Sequence, residues 1–223
     1  MKKIIITAGG TSERIDNVRK ITNSSTGKLG MKIANELLKK DDYKIYYVCP
    51  KNSLRPIDSR LEVIEIEGTM DLKNTVENLL QKEHIDYFIH SMAVSDYMVD
   101  YVTNLESLKS GNVKVISGNK ISSNEDNLVI VLKPTPKIIS IIKNISPETF
   151  LVGFKLLDGV SKEELIYVAK KLRDKNKCDL VVANDLENIR NGNHKAYLID
   201  KEDNIEEVNG KDSIAKKLVR RII

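Results

Sequence analysis

The sequence is poor in the residues that most often bind metals or form disulfides. It has two cysteines, three histidines and no tryptophan in 223 residues. Two thiols are too few for a disulfide framework or a four-thiolate metal site, and His84, His90 and His194 are too far apart for a zinc motif. We therefore expect a reduced, cytoplasmic protein whose own side chains form no metal site.

Long apolar runs are also missing. The apolar run at residues 4–8 is too short for the core of a signal peptide, and no later stretch approaches the length of a membrane span. The formal charge of +4 is the small difference between 36 basic and 32 acidic residues, and no arginine-rich run is interleaved with aromatics. These absences predict neither a membrane partner nor a nucleic-acid partner.

Eight short runs of β-branched or apolar residues, each bounded by turn residues, predict strands that are buried on both faces of a sheet. The runs are residues 3–8, 44–49, 61–66, 86–92, 127–132, 150–154, 179–183 and 196–199. Amphipathic patterns between them predict helices, one capped by Thr69 and one opened by a capping box from Ser161 to Glu164.

This alternation predicts an α/β fold with a doubly wound, mostly parallel Rossmann-like sheet and helices on both faces. A chain of 223 residues, 41% of them hydrophobic, is long enough to form it as one domain, residues 1–223. Residues 95–126 break the alternation, because they are rich in polar residues and glycine and have little periodicity. So long an irregular segment is typical of a lid, a binding loop or an arm that contacts a partner.

A candidate phosphate site follows the first predicted strand. Gly9 and Gly10 come directly after it, at the sheet edge where ligands collect, and glycine lets the backbone approach a ligand closely. Ser25, Gly27 and Lys28 then supply a hydroxyl, a backbone amide and an ammonium group at the predicted start of a helix, a place that favours phosphate. Simple capping of the helix by the hydroxyls is the alternative.

Neither common phosphate fingerprint fits this region. Residues 9–14 read G-G-T-S-E-R instead of G-x-G-x-x-G, and no acid follows the second predicted strand. A P-loop would need glycine and Ser or Thr where Thr22 and Leu29 stand. A nicotinamide-dependent reductase or epimerase is therefore a disfavoured alternative, and a non-catalytic nucleotide-binding module is the second alternative.

Seven motifs occur in order along the chain: T-A-G-G-T, I-D-x-V-R, I-x-N-x-S-x-G-K-x-G, A-V-S-D-Y, G-N-K-I, G-F-K and V-A-N-D-L. Together they resemble the phosphopantothenate-cysteine ligase family over essentially the whole chain. The resemblance implies ligation of L-cysteine to 4'-phosphopantothenate in coenzyme A biosynthesis. The reaction consumes a nucleoside triphosphate through an acyl-nucleotidylate intermediate and releases pyrophosphate and the nucleoside monophosphate.

The resemblance also implies partners. Bacterial members of the family use CTP and animal members use ATP, with Mg²⁺ held by the nucleotide phosphates, and the sequence does not distinguish the two nucleotides. A homodimer is expected, with part of residues 95–126 at the contact. In many bacteria the ligase is fused behind a flavin-dependent decarboxylase. Because this sequence begins with the first strand of the ligase, we expect a free-standing ligase without flavin.

Three residues match positions that carry the chemistry of the family. Asn23 matches the asparagine beside the mixed anhydride, and Arg19 matches the arginine that grips phosphopantothenate, often from the other subunit. Lys120 matches the first lysine of a K-I-K-K motif, whose two later basic positions are serines here. The alternatives are an Asx turn for Asn23, an ion pair with Asp16 for Arg19 and an ordinary solvated lysine.

Other positions match the residues that frame the nucleotide. Ala93 would lie next to the base, Asp96 would bind the base or the sugar, and Phe154 would place its ring beside the base. A cap for Asp96 and a core position for Phe154 are the alternatives. Asn184 and Asp185 follow a predicted strand and could contact ligand, although a turn is slightly favoured.

Overall fold

The computed structural model describes residues 1–222 and has a central sheet of eight strands. From one edge to the other they are β12 (Ile205–Asn209), β11 (Lys195–Asp200), β10 (Leu180–Asp185), β9 (Phe150–Leu157), β6 (Tyr87–His90), β1 (Lys2–Thr7), β4 (Tyr43–Cys49) and β5 (Leu61–Glu65). The six strands from β10 to β5 are parallel, and β11 and β12 add antiparallel. The predicted doubly wound, mostly parallel sheet is confirmed.

The order of the parallel strands creates a ligand-binding edge. When these six are numbered along the chain, their spatial order is 3-2-1-4-5-6, so the winding direction changes between β1 and β6. At this switch point Thr7 pairs with His90 in the parallel register, and the Thr7 hydroxyl is hydrogen-bonded to Nδ1 of His90 at 2.8 Å. The carboxyl ends of β1 and β6 therefore flank the crevice in which such sheets bind ligands.

Helices cover both faces of the sheet. Helices α1 (Lys28–Leu37) and α7 (Lys211–Ile222) pack on one face, and α2 (Thr69–Lys82), α4 (Ile138–Ile145) and α5 (Lys162–Asn176) pack on the other. Successive residues of a strand point to opposite faces, so Ile4 and Ile6 join the first core and Ile5 joins the second. No helix within residues 1–222 is long and apolar enough to cross a membrane.

The helix starts test two sequence predictions. The Ser161 hydroxyl accepts a hydrogen bond from the Glu164 N–H at 3.1 Å, so the predicted cap of α5 is confirmed. The prediction that Thr69 caps α2 is wrong. Gly68 is the N-cap residue, and the Thr69 side chain instead donates to the Glu13 carboxylate. A carboxylate from a distant strand therefore takes the place of the local cap.

Two hairpins stand outside the central sheet. Strands β2 (Ser12–Arg14) and β3 (Lys20–Thr22) form the first hairpin, and β7 (Tyr97–Asn104) pairs antiparallel with β8 (Leu128–Pro134). The strand predicted at residues 127–132 exists, but its placement in the parallel sheet is wrong, because an apolar run does not specify its pairing partner. Residues 110–127 are irregular as predicted, whereas residues 97–109 form β7 and the short helix α3 (Leu105–Lys109).

Candidate functional site

The predicted glycines lie at the switch point of the sheet. The Gly9 carbonyl accepts from the Ala93 N–H at 2.9 Å, and the Ala93 carbonyl accepts from the Thr11 N–H at 3.0 Å. Gly10 and Ala93 consequently form a parallel bridge that extends the pairing of β1 with β6. The structure thus brings together two sequence-predicted positions that are 83 residues apart in the chain.

The backbone after β3 packs closely against this bridge. The Asn23 N–H donates to the Thr11 carbonyl at 3.1 Å, which places Asn23 beside Gly10. A Cβ atom at Gly10 would lie 2.1 Å from the Asn23 carbonyl oxygen, a separation that only glycine permits. Asn23 itself is half-buried. Gly9, Gly10, Asn23 and Ala93 therefore form one compact cluster, which we call the switch-point cluster.

Helix α1 begins at the same cluster. Its N-cap residue is Gly27, which has φ = 73° and no side-chain capping bond. A Cβ atom at Gly27 would lie 2.1 Å from Oγ of Ser53 and 3.2 Å from the Gly9 nitrogen. Ser25 is exposed and forms no capping bond, whereas the Thr26 hydroxyl accepts a long bond of 3.4 Å from the Lys28 N–H. Apart from this long contact at Lys28, the N–H groups at the start of α1 stand beside Gly9 without a side-chain cap, as an anion site requires.

A buried polar network, which the sequence analysis missed, lies beneath the switch-point cluster. The Thr11 hydroxyl accepts from the Ser95 N–H at 2.8 Å, and the Thr135 hydroxyl donates to the Ser95 carbonyl at 2.5 Å. The Glu13 carboxylate accepts from the N–H and the hydroxyl of Thr69 at 2.9 and 2.7 Å. The polar side chains of this network therefore satisfy one another. The available signal was Thr11 and Ser95, polar residues that lie shortly after the ends of β1 and β6.

Arg19 and Lys120 lie together at the turn of the β2–β3 hairpin. Arg19 donates to the Asp16 carboxylate through Nε and Nη2 at 2.9 and 2.6 Å and to the Ile121 carbonyl at 2.6 Å. The ion pair considered from the sequence is therefore present. Lys120 is exposed and forms no hydrogen bond or ion pair with the described part of the chain, residues 1–222.

The hairpin separates this turn from the switch-point cluster. Three residues of β3 lie between Arg19 and Asn23, which corresponds to about 13 Å along an extended strand. An open cleft of about 320 Å³ lies beside the turn, between Arg14, Tyr101 and Ile121. The structure therefore places Asn23 at one end of the hairpin and the two basic residues at the other.

The positions predicted to frame the nucleotide have different surroundings. Asp96 precedes β7 and pairs with Lys137, and its side chain is 72% exposed. Phe154 is half-buried on β9 and follows Gly153, the residue that pairs with His90 at the end of β6. Its side chain packs against the core beneath α1 and α7. Asp185 accepts from the Glu187 N–H at 2.8 Å as the N-cap of α6 (Leu186–Arg190), and Asn184 donates to the Lys195 carbonyl at 3.1 Å. The turn alternative thus describes Asp185, whereas the Asn184 side chain bonds across the sheet to β11.

Comparisons with known proteins agree with the resemblance. The family model of the DNA/pantothenate metabolism flavoprotein C-terminal domain matches residues 1–223. The coenzyme A biosynthesis bifunctional protein CoaBC of Thermococcus kodakarensis is 35% identical over 220 residues, which are 98% of this chain and 47% of that protein. The CoaBC protein of Methanocaldococcus jannaschii is 29% identical over 235 residues, covering 99% of this chain and 50% of that protein.

The chain thus spans about half the length of these curated relatives. A solved structure of a DNA/pantothenate metabolism flavoprotein from Streptococcus pneumoniae is 39% identical and superimposes with a TM-score of 0.88. The superposition covers 100% of this chain and 98% of the Streptococcus pneumoniae chain. By sequence over its whole length and by fold, this chain belongs to the DNA/pantothenate metabolism flavoprotein C-terminal domain family.

Proposed function

We propose that this chain ligates L-cysteine to 4'-phosphopantothenate at the expense of a nucleoside triphosphate, as a step of coenzyme A biosynthesis. The observation that carries the proposal is the packing of Gly10, Asn23 and the uncapped start of α1 around the switch point of the sheet. Such a cluster offers an amide side chain and free backbone N–H groups to a phosphorylated ligand. Relatives over the full length of this chain are named for coenzyme A biosynthesis.

The chemistry requires activation of a carboxylate, because oxide is a poor leaving group. In the proposed first step, the phosphopantothenate carboxylate attacks the α-phosphate and pyrophosphate leaves. In the second step, the cysteine amine attacks the acyl carbonyl of the nucleotidylate, the nucleoside monophosphate leaves and the amine loses a proton. The Asn23 amide would donate to the oxygen on which negative charge develops. Its backbone bond to Thr11 keeps this donor in place while the charge changes.

The triphosphate would bind at the start of α1. Lys28 is the first residue of this helix. The ammonium groups of Lys28 and Lys32 both lie close enough to the Lys211 ammonium to repel it. Burial lowers the pKa of Lys211, and repulsion by these two lysines lowers it further. A bound triphosphate would offset that repulsion. We infer that Lys28 and Lys211 supply the positive charge that the serines after Lys120 do not, because Lys32 is paired with the Asp212 carboxylate.

Mg²⁺ would accompany the triphosphate and be held chiefly by its phosphate oxygens, since this ion retains several waters. Within residues 1–222 no group of three His, Cys, Asp or Glu side chains could hold a metal ion. Ala93 and Phe154 would flank the base. Asp96 would have to leave Lys137 to reach the base or sugar. CTP is the expected nucleotide and ATP is the alternative.

The path of the chain after β1 disfavours a nicotinamide-dependent enzyme. In a dinucleotide-binding fold a glycine-rich turn leads directly from the first strand into a helix. Here the β2–β3 hairpin intervenes between the end of β1 at Thr7 and the start of α1 at Lys28. Strand β4 ends at Cys49 and is followed by proline and lysine rather than an acid for the ribose. A non-catalytic nucleotide-binding module would not require Asn23 at the switch point.

We also propose that the protein is a homodimer that uses the β7–β8 hairpin. An isolated two-stranded ribbon is marginally stable in water. In this ribbon Tyr97 and Leu132 remain 57% and 42% exposed. A second copy would cover these side chains. Sedimentation equilibrium tests this proposal, and a monomer at micromolar concentration would contradict it.

Pyrophosphate release tests the ligase proposal. The protein is incubated with Mg²⁺ and phosphopantothenate, with CTP or with ATP, in the presence and absence of cysteine. We expect release that depends on phosphopantothenate, and a product that contains cysteine only when cysteine is present. If neither nucleotide yields pyrophosphate under these conditions, the proposal is wrong.

A further inference from the structure

The turn of the β2–β3 hairpin is bound to a distant part of the chain. The Asn17 N–H donates to the Asn119 carbonyl at 3.1 Å, and the Ile121 N–H donates to Oδ2 of Asp16 at 3.1 Å. Arg19 completes the contact through its bond to the Ile121 carbonyl. These bonds hold the residues on both sides of Lys120, within a segment that has no helix or strand from residue 110 to residue 127. We call this set of contacts the turn clamp.

Asp16 is the centre of the turn clamp. Its Oδ1 accepts from the N–H groups of Val18 and Arg19 at 2.8 and 2.7 Å, which shapes the turn. Its Oδ2 accepts from the Arg19 guanidinium and from the Ile121 N–H. The Asp16 side chain is fully buried, and Ile121 is only 4% exposed. One carboxylate thus orders both the hairpin turn and the segment that carries Lys120.

The electrostatics of Asp16 agree with this arrangement. Burial by itself would raise the pKa of the carboxyl group. Hydrogen bonds from the backbone N–H groups of Arg19, Val18 and Ile121, together with the Arg19 guanidinium, outweigh burial and hold the pKa well below its usual range. The Asp16 carboxyl group is therefore ionised at neutral pH, and it can accept all the hydrogen bonds of the turn clamp.

The hairpin transmits this order to the switch-point cluster. At its open end Ser12 pairs with Thr22, and the Asn23 N–H bonds to the Thr11 carbonyl. The two ends are joined by three paired residues on each strand. The position of the Lys120 backbone relative to Asn23 is therefore set through the hairpin and Asp16.

We propose that Asp16 is a positioning residue for the ligation reaction: its carboxylate holds Arg19 and the Lys120 segment at one fixed place relative to Asn23. This inference rests on the proposed function, because Lys120 matters only if a phosphorylated intermediate forms near it. Asp16 acts through Arg19 and Ile121 and does not itself contact substrate. Without it, nucleotide would still bind at α1, whereas Lys120 would no longer be held at one place relative to the bound ligands.

The substitution Asp16→Asn tests the proposal. The amide can still accept from the turn at Oδ1, but its NH₂ group cannot accept from Arg19 or Ile121. We expect kcat to fall roughly tenfold to a hundredfold, the range that a misplaced group can cost, while KM for the nucleotide changes little. By NMR, the Ile121 amide should exchange with solvent at least about tenfold faster, as expected when a protecting bond is lost.

The matched control is Asp58→Asn. The Asp58 carboxylate accepts hydrogen bonds from the nearby Arg60 in the same way, from the backbone N–H at 2.9 Å, from Nε at 3.0 Å and from Nη2 at 2.9 Å. Asp58 differs in its location, because it precedes the edge strand β5. This variant should keep wild-type kcat and wild-type exchange at Ile121. Ile121→Ala serves as a second perturbation, because it loosens the same segment while the carboxylate stays, and it should also lower kcat.

The outcomes separate the two levels of inference. An inactive wild-type enzyme would overturn the proposed function and the positioning role of Asp16 with it, while exchange at Ile121 would still decide whether the clamp exists. An active wild type with unchanged kcat in Asp16→Asn would overturn only the positioning role. If Asp16→Asn does not fold, wild-type kcat in Ile121→Ala would overturn it instead.

Discussion

The closest packing in the switch-point cluster gives the sharpest prediction, for Gly10→Ala. The Cβ atom added at Gly10 would lie 2.1 Å from the carbonyl oxygen and 3.0 Å from the carbonyl carbon of Asn23. Because both atoms belong to backbone, no side-chain rotation relieves the contact. Gly10 does not have a positive φ, so steric overlap is the whole cost of the substitution.

The size of the displacement follows from these distances. Bringing the 2.1 Å contact to 3.0 Å, the shortest that real Cβ atoms show, moves Asn23 by about 0.9 Å. Displacements of about 1 Å in a reacting constellation can lower turnover roughly a hundredfold. Overpacking of this kind costs about 1–3 kcal/mol of unfolding free energy. For a chain of this length, that corresponds to a fall in Tm of roughly 2–12 °C.

Pyrophosphate release and thermal melting by circular dichroism measure the two effects. The control is Gly118→Ala, in which the nearest heavy atom to the new Cβ would be the Lys120 carbonyl oxygen at 3.8 Å. This variant should melt and turn over like the wild type. A Gly10→Ala protein with wild-type kcat and wild-type Tm would refute the reasoning, because the Asn23 carbonyl could then not lie where we describe it.

Three further predictions concern single side chains. Asn23→Asp should lower pyrophosphate release at least about a hundredfold at unchanged Tm, because a carboxylate repels the oxygens to which the amide would donate; full activity would contradict this role. Lys120→Gln should lower kcat by about a hundredfold, with nucleotide still bound in calorimetry, whereas Lys114→Gln on the same exposed segment should not. Burial lowers the pKa of His90 to about 4 in the folded protein. Between pH 6.5 and pH 4 the imidazole therefore binds a proton in the unfolded state but not in the folded state. The free energy of unfolding consequently falls as the pH drops through this range. Urea unfolding should show wild type losing about 3 kcal/mol more than His90→Gln between pH 7 and pH 4, and equal losses would contradict it.

Most strands that the sequence predicted correctly share one property. They are continuous β-branched or apolar runs, and a parallel sheet with helices on both faces buries both sides of such a run. The edge strand β5 is the exception, since it carries two glutamates and no fully buried residue. Strand β12 was missed because only two of its five residues, Ile205 and Val208, are apolar, so its sequence I-E-E-V-N contains no apolar run. The run at residues 127–132 was given the wrong partner, because its apolar residues fit a hairpin as well as a buried sheet.

The candidate site shows a similar division. The importance of Gly10 and Gly27 could be predicted from residue type, because glycine after a strand or before a helix permits close approach. Which atoms approach these two glycines could not be predicted from the sequence. The Asn23 carbonyl reaches Gly10 only because the β2–β3 hairpin folds back, and Ser53 reaches Gly27 from the loop after β4.

Local patterns in this chain therefore determine which segments are buried, where helices begin and where the backbone needs glycine, since burial and backbone conformation are properties of neighbouring residues. The contacts that join Gly10 to Asn23, and Asp16 to a segment 105 residues away, were decided by the tertiary structure. The physical reason is that a carboxylate or a carbonyl can bond equally well to many donors, and the path of the chain through the sheet selects among them.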